Sequence, residues 1–219
     1  MKIRTKHITA GALGAVLLAS LVGCGNGGTD AGGSLSLDRL VEIAEKVGKD
    51  GTDTCPLPYD PAKAAEAAKL GQDIEPGPAE AGSDKPAATA EGGKTTDPQS
   101  PYAGKAGAWV TCSYHVGGED LVVHAAGAEA GQAVSLMLPT MQAAAGMSVD
   151  ETKAYWEKTS KAKSGEPVPS TSGNIATVPL GSGGKGDVAL LLTAGESGKT
   201  SLKPEQVTEL AKAFAAQAK

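Results

Sequence analysis

Two stretches of the chain carry residue types at spacings that chemistry uses. Gly195-Glu196-Ser197-Gly198-Lys199-Thr200 has the Gly-Lys-Thr ending of a phosphate-binding loop, whose backbone N–H groups and Lys cradle phosphates. That loop needs a first Gly where this chain has Thr193, and the next helix-start signal, Pro204, comes too late to aim amides beside Lys199. These are read as turn residues between a strand and a helix, and no nucleotide is expected. His115 and His124 could serve as metal ligands or general bases. Neither has a nearby Cys, and no His-Glu-x-x-His pattern is present. Across a two-residue turn His115 faces Asp120 and His124 faces Thr111, about 13 Å apart at strand rise; a longer turn would bring the rings closer. The expectation is of solvated strand residues, with no metal and no cofactor.

Ser160-Lys161-Ala162-Lys163, Ser172-Gly173-Asn174 and Lys199-Thr200 resemble the three signatures of penicillin-binding enzymes. That chemistry needs the Ser at a helix start, facing a Lys one turn on, within a large helical domain. Ser160 falls at an expected helix end, and all three pieces lie between residues 160 and 200, too close to frame such a site. No Gly-x-Ser-x-Gly elbow occurs, and Glu119-Asp120 sits in a hairpin turn where solvated acids are ordinary. No catalytic residue is assigned. Thr89, Thr95, Thr96 and Ser100, close to Pro98 and Pro101, are possible O-glycan acceptors or part of an unmodified linker.

The first residues set the compartment. Lys2, Arg4 and Lys6 precede an apolar run from Ile8 to Val22, the charged and apolar regions of an export signal. The run is shorter than the roughly 20 residues that span a bilayer as a helix. It ends Leu21-Val22-Gly23-Cys24, which resembles the lipobox of bacterial lipoproteins. The resemblance implies a signal peptide over 1–23, cleavage before Cys24, and a lipidated Cys24 as the new N-terminus. Each buried methylene of an acyl chain such as palmitate contributes about 0.8 kcal/mol, and two chains hold firmly where one is marginal. The expected protein is anchored to the outer face of the cell membrane and does not span it.

The leader would take three of the 20 basic residues and none of the 25 acidic ones, leaving a clearly acidic domain. Such a domain is a poor partner for nucleic acid. Arg39 is the one arginine beyond the leader, so bidentate recognition of phosphate or carboxylate has little to draw on. With Cys24 lipidated, Cys55 and Cys112 remain in an oxidising compartment, where an even pair is expected to bridge; two buried free thiols are the alternative.

Positioning elements follow from periodicity. Residues 24–35 read as a flexible Gly-rich tether and 36–219 as one domain. Ser36 caps a helix with Leu37, Leu40, Val41, Ala44 and Val47 on one face, and Gly48 stops it. A short Ala-rich helix spans Pro61 to Leu70. From about 75 to 105 the Pro/Gly-rich composition reads as a disordered loop. Residues 108–116 and 121–126 read as a hairpin about Gly117-Gly118, with Val110, Cys112 and Tyr114 inward. Helical patterns follow near 129–145, kinked or split by Pro139, and from a Ser148/Glu151 capping box to about Lys161, with Val149, Thr152, Tyr155, Trp156 and Thr159 on one side. A second hairpin near 174–194 and a helix from Pro204 complete an α+β domain. Its expected sheet has about four strands, in two β-hairpins, with helices packed on one face.

Asp53-Thr54-Cys55-Pro56-Leu57, the helix through Leu70-Gly71, and Trp109-Val110-Thr111-Cys112-Ser113-Tyr114 resemble a family of actinobacterial two-cysteine cell-envelope lipoproteins with no assigned activity. The resemblance covers about 70 residues and implies a disulfide-stabilised envelope lipoprotein; the long Pro/Gly insertion and the Ser-Tyr pair after the second Cys depart from its pattern. The leading functional expectation is a non-enzymatic binding or accessory module that meets an envelope protein or a small ligand. The alternatives are an envelope hydrolase with an unrecognised site and a structural or regulatory partner of a membrane complex. An apolar pocket without convergent polar groups would favour binding, whereas clustered carboxylates or a Ser near His115 would favour catalysis.

Overall fold

Residues 34–80, 85–93, 99, 106–129, 131–181 and 186–218 are described by a computed structural model of the chain. Cys24, the expected signal segment and most of the expected tether lie outside the described residues, as do 81–84, 94–98 and 100–105 of the expected loop. In chain order the elements are α1 (Leu37–Val47), α2 (Pro61–Ala67), β1 (Ile74–Pro76), β2 (Ala88–Gly93), β3 (Gly107–Val116), β4 (Glu119–Glu129), α3 (Ala133–Leu136), α4 (Leu138–Ala145), α5 (Val149–Ser160), β5 (Val168–Pro169), β6 (Ile175–Gly181), β7 (Gly186–Ala194) and α6 (Pro204–Gln217).

Alternation along β3 and the Gly117-Gly118 turn set the register of the first hairpin. Tyr114 pairs with Leu121, Cys112 with Val123 and Val110 with Ala125, all buried on one face. The second hairpin, β6–β7, joins the first through β4–β7 pairing. Among the described residues the sheet has seven antiparallel strands, in the order β1-β3-β4-β7-β6-β5, with β2 also on β3. The expectation of about four strands is therefore corrected. Both anticipated hairpins are present, and β1, β2 and β5 widen the sheet around them. Ile74–Pro76 and Ala88–Gly93 have weak strand propensity, but the outer edge of β3 offers them a hydrogen-bonding template. Thr52 adds a bridge to Ala88.

Helices on one face are likewise corrected: they cover both. On the first face α1, α2 and α6 bury Leu40, Val110, Val123, Leu190, Leu192 and Phe214. On the second, α3 to α5 enclose Met137, Met141, Tyr155, Ile175, Ala189 and Leu191. The split at Pro139 has a plain cause, since Pro139 lies in the first turn of α4, where its missing N–H costs nothing. Ser36 caps α1 by accepting the Arg39 N–H. Leu37 then presses on the sheet so closely that a Cβ at Gly186 would fall 2.4 Å from its side chain. Glycine is required there by space.

Phe214 is fully buried between Tyr114, stacked at 5.9 Å, and Tyr59, edge-on at 5.1 Å. The Tyr59 hydroxyl is buried without a hydrogen-bond partner, a cost of about 1–3 kcal/mol that the aromatic packing must offset. Beside this cluster Cys55 and Cys112 form a disulfide, with Cα atoms 5.3 Å apart and a sequence separation of 57. It ties the segment before α2 to the middle of β3. For a closed loop of that size the chain-entropy model gives about 4 kcal/mol. Replacing both cysteines by alanine is expected to lower stability by roughly 2–5 kcal/mol, read as a fall in the urea midpoint; an unchanged midpoint would show that the bridge constrains nothing.

Candidate functional site

The side chains with familiar chemistry are spent on structure. Lys199 pairs with Glu196 three residues earlier, and this contact raises its pKa. Thr200 donates its hydroxyl to Glu119, and the Ser201 backbone N–H reaches the same carboxylate at 2.7 Å. One acid of the first hairpin turn thus latches the segment between β7 and α6. A phosphate in the Gly195–Thr200 turn would have to displace that carboxylate.

His115 and His124 face the second side of the sheet but are not brought together. The His115 Nδ1 lies 3.1 Å from the Gly77 carbonyl oxygen, and its Nε2 is 3.5 Å from Glu75. Ser113 stands two residues away on the same strand face. Both imidazole nitrogens already face Gly77 and Glu75, so none is directed at a Ser113 nucleophile. The His124 Nδ1 is 3.0 Å from the Thr111 hydroxyl, which accepts the Trp109 indole N–H at 2.9 Å. The Trp109 and His124 rings lie 5.2 Å apart, and burial lowers the His124 pKa to about 4. Among the described residues no group of three or more His, Cys, Asp or Glu could hold a metal ion.

Open space is found around α5. The helix starts on a full capping box: Ser148 accepts the Glu151 N–H, and Glu151 accepts the Ser148 N–H at 2.8 Å. Those bonds hold the Glu151 carboxyl below its usual pKa. Midway, the Tyr155 hydroxyl donates to the Val168 carbonyl at 2.6 Å and meets Thr177 Oγ1 at 3.0 Å. Burial pushes its pKa up to about 12. On its other side Trp156 donates its indole N–H to Ser135 at 3.2 Å. These contacts fix the helix with a hollow on each flank.

One is a hollow of about 360 Å³ with a mixed polar and apolar lining that includes Gly146, Met147, Glu151, Ala154, Lys158 and Ser172. Fully buried Asn174 shapes its far wall, accepting the Ser172 hydroxyl at 2.7 Å and donating to the Ala144 carbonyl at 2.9 Å. The other is an apolar groove of about 340 Å³ between α4 and α5, formed chiefly by Leu138, Pro139, Val149 and Trp156, with Gln142 and Lys153 also in its lining. Val149, expected on the buried stripe of α5, is instead 74% exposed beside this groove, while Thr152, Tyr155 and Thr159 are buried.

Sequence reasoning missed Glu151, Lys158 and Ser172 as neighbours. Glu151, Ala154, Tyr155 and Lys158 do recur at i, i+3, i+4 and i+7, which was the available signal. The Ser172–Asn174 stretch stood out only for its resemblance to one signature of penicillin-binding enzymes. Comparison with protein families, with curated proteins and with solved structures finds no match to this chain.

The buried histidine yields a pH test. Folded His124 titrates below the roughly 6.5 of an unfolded chain, so between about pH 6.5 and 4 the unfolded state binds more protons. Its contribution is complete above that window and is lost as pH falls through it. The urea midpoint is expected to drop more steeply from pH 6.5 to 4 in the native protein than in His124→Asn, which keeps a hydrogen-bonding group for Thr111. Parallel profiles would contradict this assignment.

Proposed function

We propose that the protein is a lipid-anchored cell-envelope module that binds or assists and does not catalyse, held at the outer face of the membrane by acyl chains on Cys24. The lipobox-like Leu21-Val22-Gly23-Cys24 supports the anchor. The Cys55–Cys112 disulfide suits an oxidising compartment. No described helix is long and apolar enough to cross a membrane.

The observation that carries the binding reading is the groove of Leu138, Pro139, Val149 and Trp156. Val149 leaves its side chain in water at a helix start whose neighbours Thr152 and Tyr155 are buried. A mainly apolar hollow with a few polar side chains in its lining suits a recognition surface. His115, Glu119, Thr200 and Lys199, the groups with chemistry to offer, are tied into internal contacts on other parts of the domain.

Two measurements in one set of cells test this reading. A labelled fatty acid is expected to mark the native protein and not Cys24→Ala. A photo-crosslinking residue at position 149 is expected to give defined adducts, whereas one at exposed Lys212, on α6 across the sheet, gives none. Labelling that survives Cys24→Ala would overturn the anchor. Identical crosslinking from both positions, or none from either, would overturn the binding surface.

A further inference from the structure

The hollow on the other flank of α5 differs from the groove in having both an acid and a base in its lining, Glu151 and Lys158. Glu151 and Lys158 are seven residues apart on α5, hence on one helix face and about 10.5 Å apart along it. Ala154 lies between them, and its small side chain leaves the floor open. Glu151 is ionised, since the Ser148 backbone N–H and hydroxyl favour its charged form, and both reach only its Oε2. Among the described residues Lys158 makes no ion pair. Thr171 and Ser172 form the opposite wall, with the Ser172 hydroxyl held by Asn174.

This charge pattern discriminates between ligands. An anion at Lys158 makes no use of the Glu151 carboxylate, whose Oε2 alone is taken by Ser148, and a lone cation at Glu151 makes no use of Lys158. A molecule with a positive and a negative end satisfies both. Two extended residues span at most about 7 Å. With a charge-assisted contact of about 2.8 Å at each terminus, a dipeptide covers about 13 Å, comparable with the rise of about 10.5 Å between the two helix positions from which the flexible side chains reach. A single amino acid, whose ammonium and carboxylate flank one Cα, reaches only one of them well.

We propose that the hollow between α5 and the β5–β6 turn takes a short zwitterionic peptide of about two residues, its ammonium toward Glu151 and its carboxylate toward Lys158. This assignment rests on the reading of the protein as a binding module and names the ligand class of this hollow. Side chains of the peptide would face outward, because the hollow is open on that side, so selection falls on the two termini.

The test is an amide NMR titration of the full-length chain in detergent micelles with L-Ala-L-Ala. N-acetyl-Ala-Ala, Ala-Ala amide and acetate serve as comparison probes. The free dipeptide is expected to shift amides of Gly146, Met147, the 151–158 helix face, Thr171 and Ser172. Blocking either terminus is expected to weaken binding about tenfold. Glu151→Gln, which keeps an acceptor for Ser148, and Lys158→Met, which keeps the apolar stem, should each do the same. A merely helix-stabilising role for these two charges would leave the affinity unmoved and would overturn the assignment. Acetate or the acetylated peptide binding as tightly as the free dipeptide would overturn the zwitterion while leaving the binding module standing. So would a hollow untouched by every probe, provided that crosslinking at position 149 persists. Loss of both signals would remove the binding reading itself.

Discussion

Strands β4 and β7 sit at the centre of the sheet and are buried from both sides, and this constraint organises the remaining structure. Val123 and Ala125 face α1, α2 and α6, while Ala126 faces α3 to α5. On β7, Leu190 and Leu192 point one way and Ala189 and Leu191 the other. A strand in that position can offer no polar face to water, so each side needs its own helical layer. The chain supplies the layers from different regions: its first and last helices cover one face, and the helices between the hairpins cover the other. Both hollows flank α5, the longest helix of the second layer, which also holds the four-residue α3 and the eight-residue α4.

Toward the β1–β2 edge, stability comes from different sources. There the strands are short and poor in branched residues, and the outer half of the sheet depends on β3. The Cys55–Cys112 disulfide and the Tyr59–Phe214–Tyr114 cluster act at the same place, binding the segment before α2 to β3 and to α6. A covalent link in that region suits a domain whose core is filled largely by Ala, Val and Leu, since small side chains contribute little apolar area each.

Local rules were legible where a few neighbouring residues decide the outcome. The Ser36 and Ser148 caps, the break at Pro139, the Gly117-Gly118 turn and the inward row Val110, Cys112 and Tyr114 could all be read directly. The second helical layer was not read, although Val188-Ala189-Leu190-Leu191-Leu192 is an uninterrupted apolar run of the kind that marks a strand covered on both faces. Strands β1, β2 and β5 were missed because they are only two to six residues long and interrupted by Pro, Gly, Ala and Glu, and β1 and β2 take their partner from β3, 14 to 42 residues on. The hollow beside α5 was illegible for a similar reason. One wall is a helix stripe, but Ser172 reaches it only through the buried Asn174 contact across the fold.

Binding surfaces on either flank of α5 require the layer that carries α5 to be a packed part of the domain. Leu190 and Leu191 are adjacent, both fully buried, and belong to opposite cores, so their substitution separates the two faces. The direct measurement is urea unfolding of Leu190→Ala and Leu191→Ala beside the native protein. Both are expected to lose about 2–5 kcal/mol, the cost of an emptied leucine site in a close-packed interior. A Leu191→Ala variant within about 0.5 kcal/mol of the native protein would mean that the second face is not enclosed, and the account of the fold and of both hollows would fail with it.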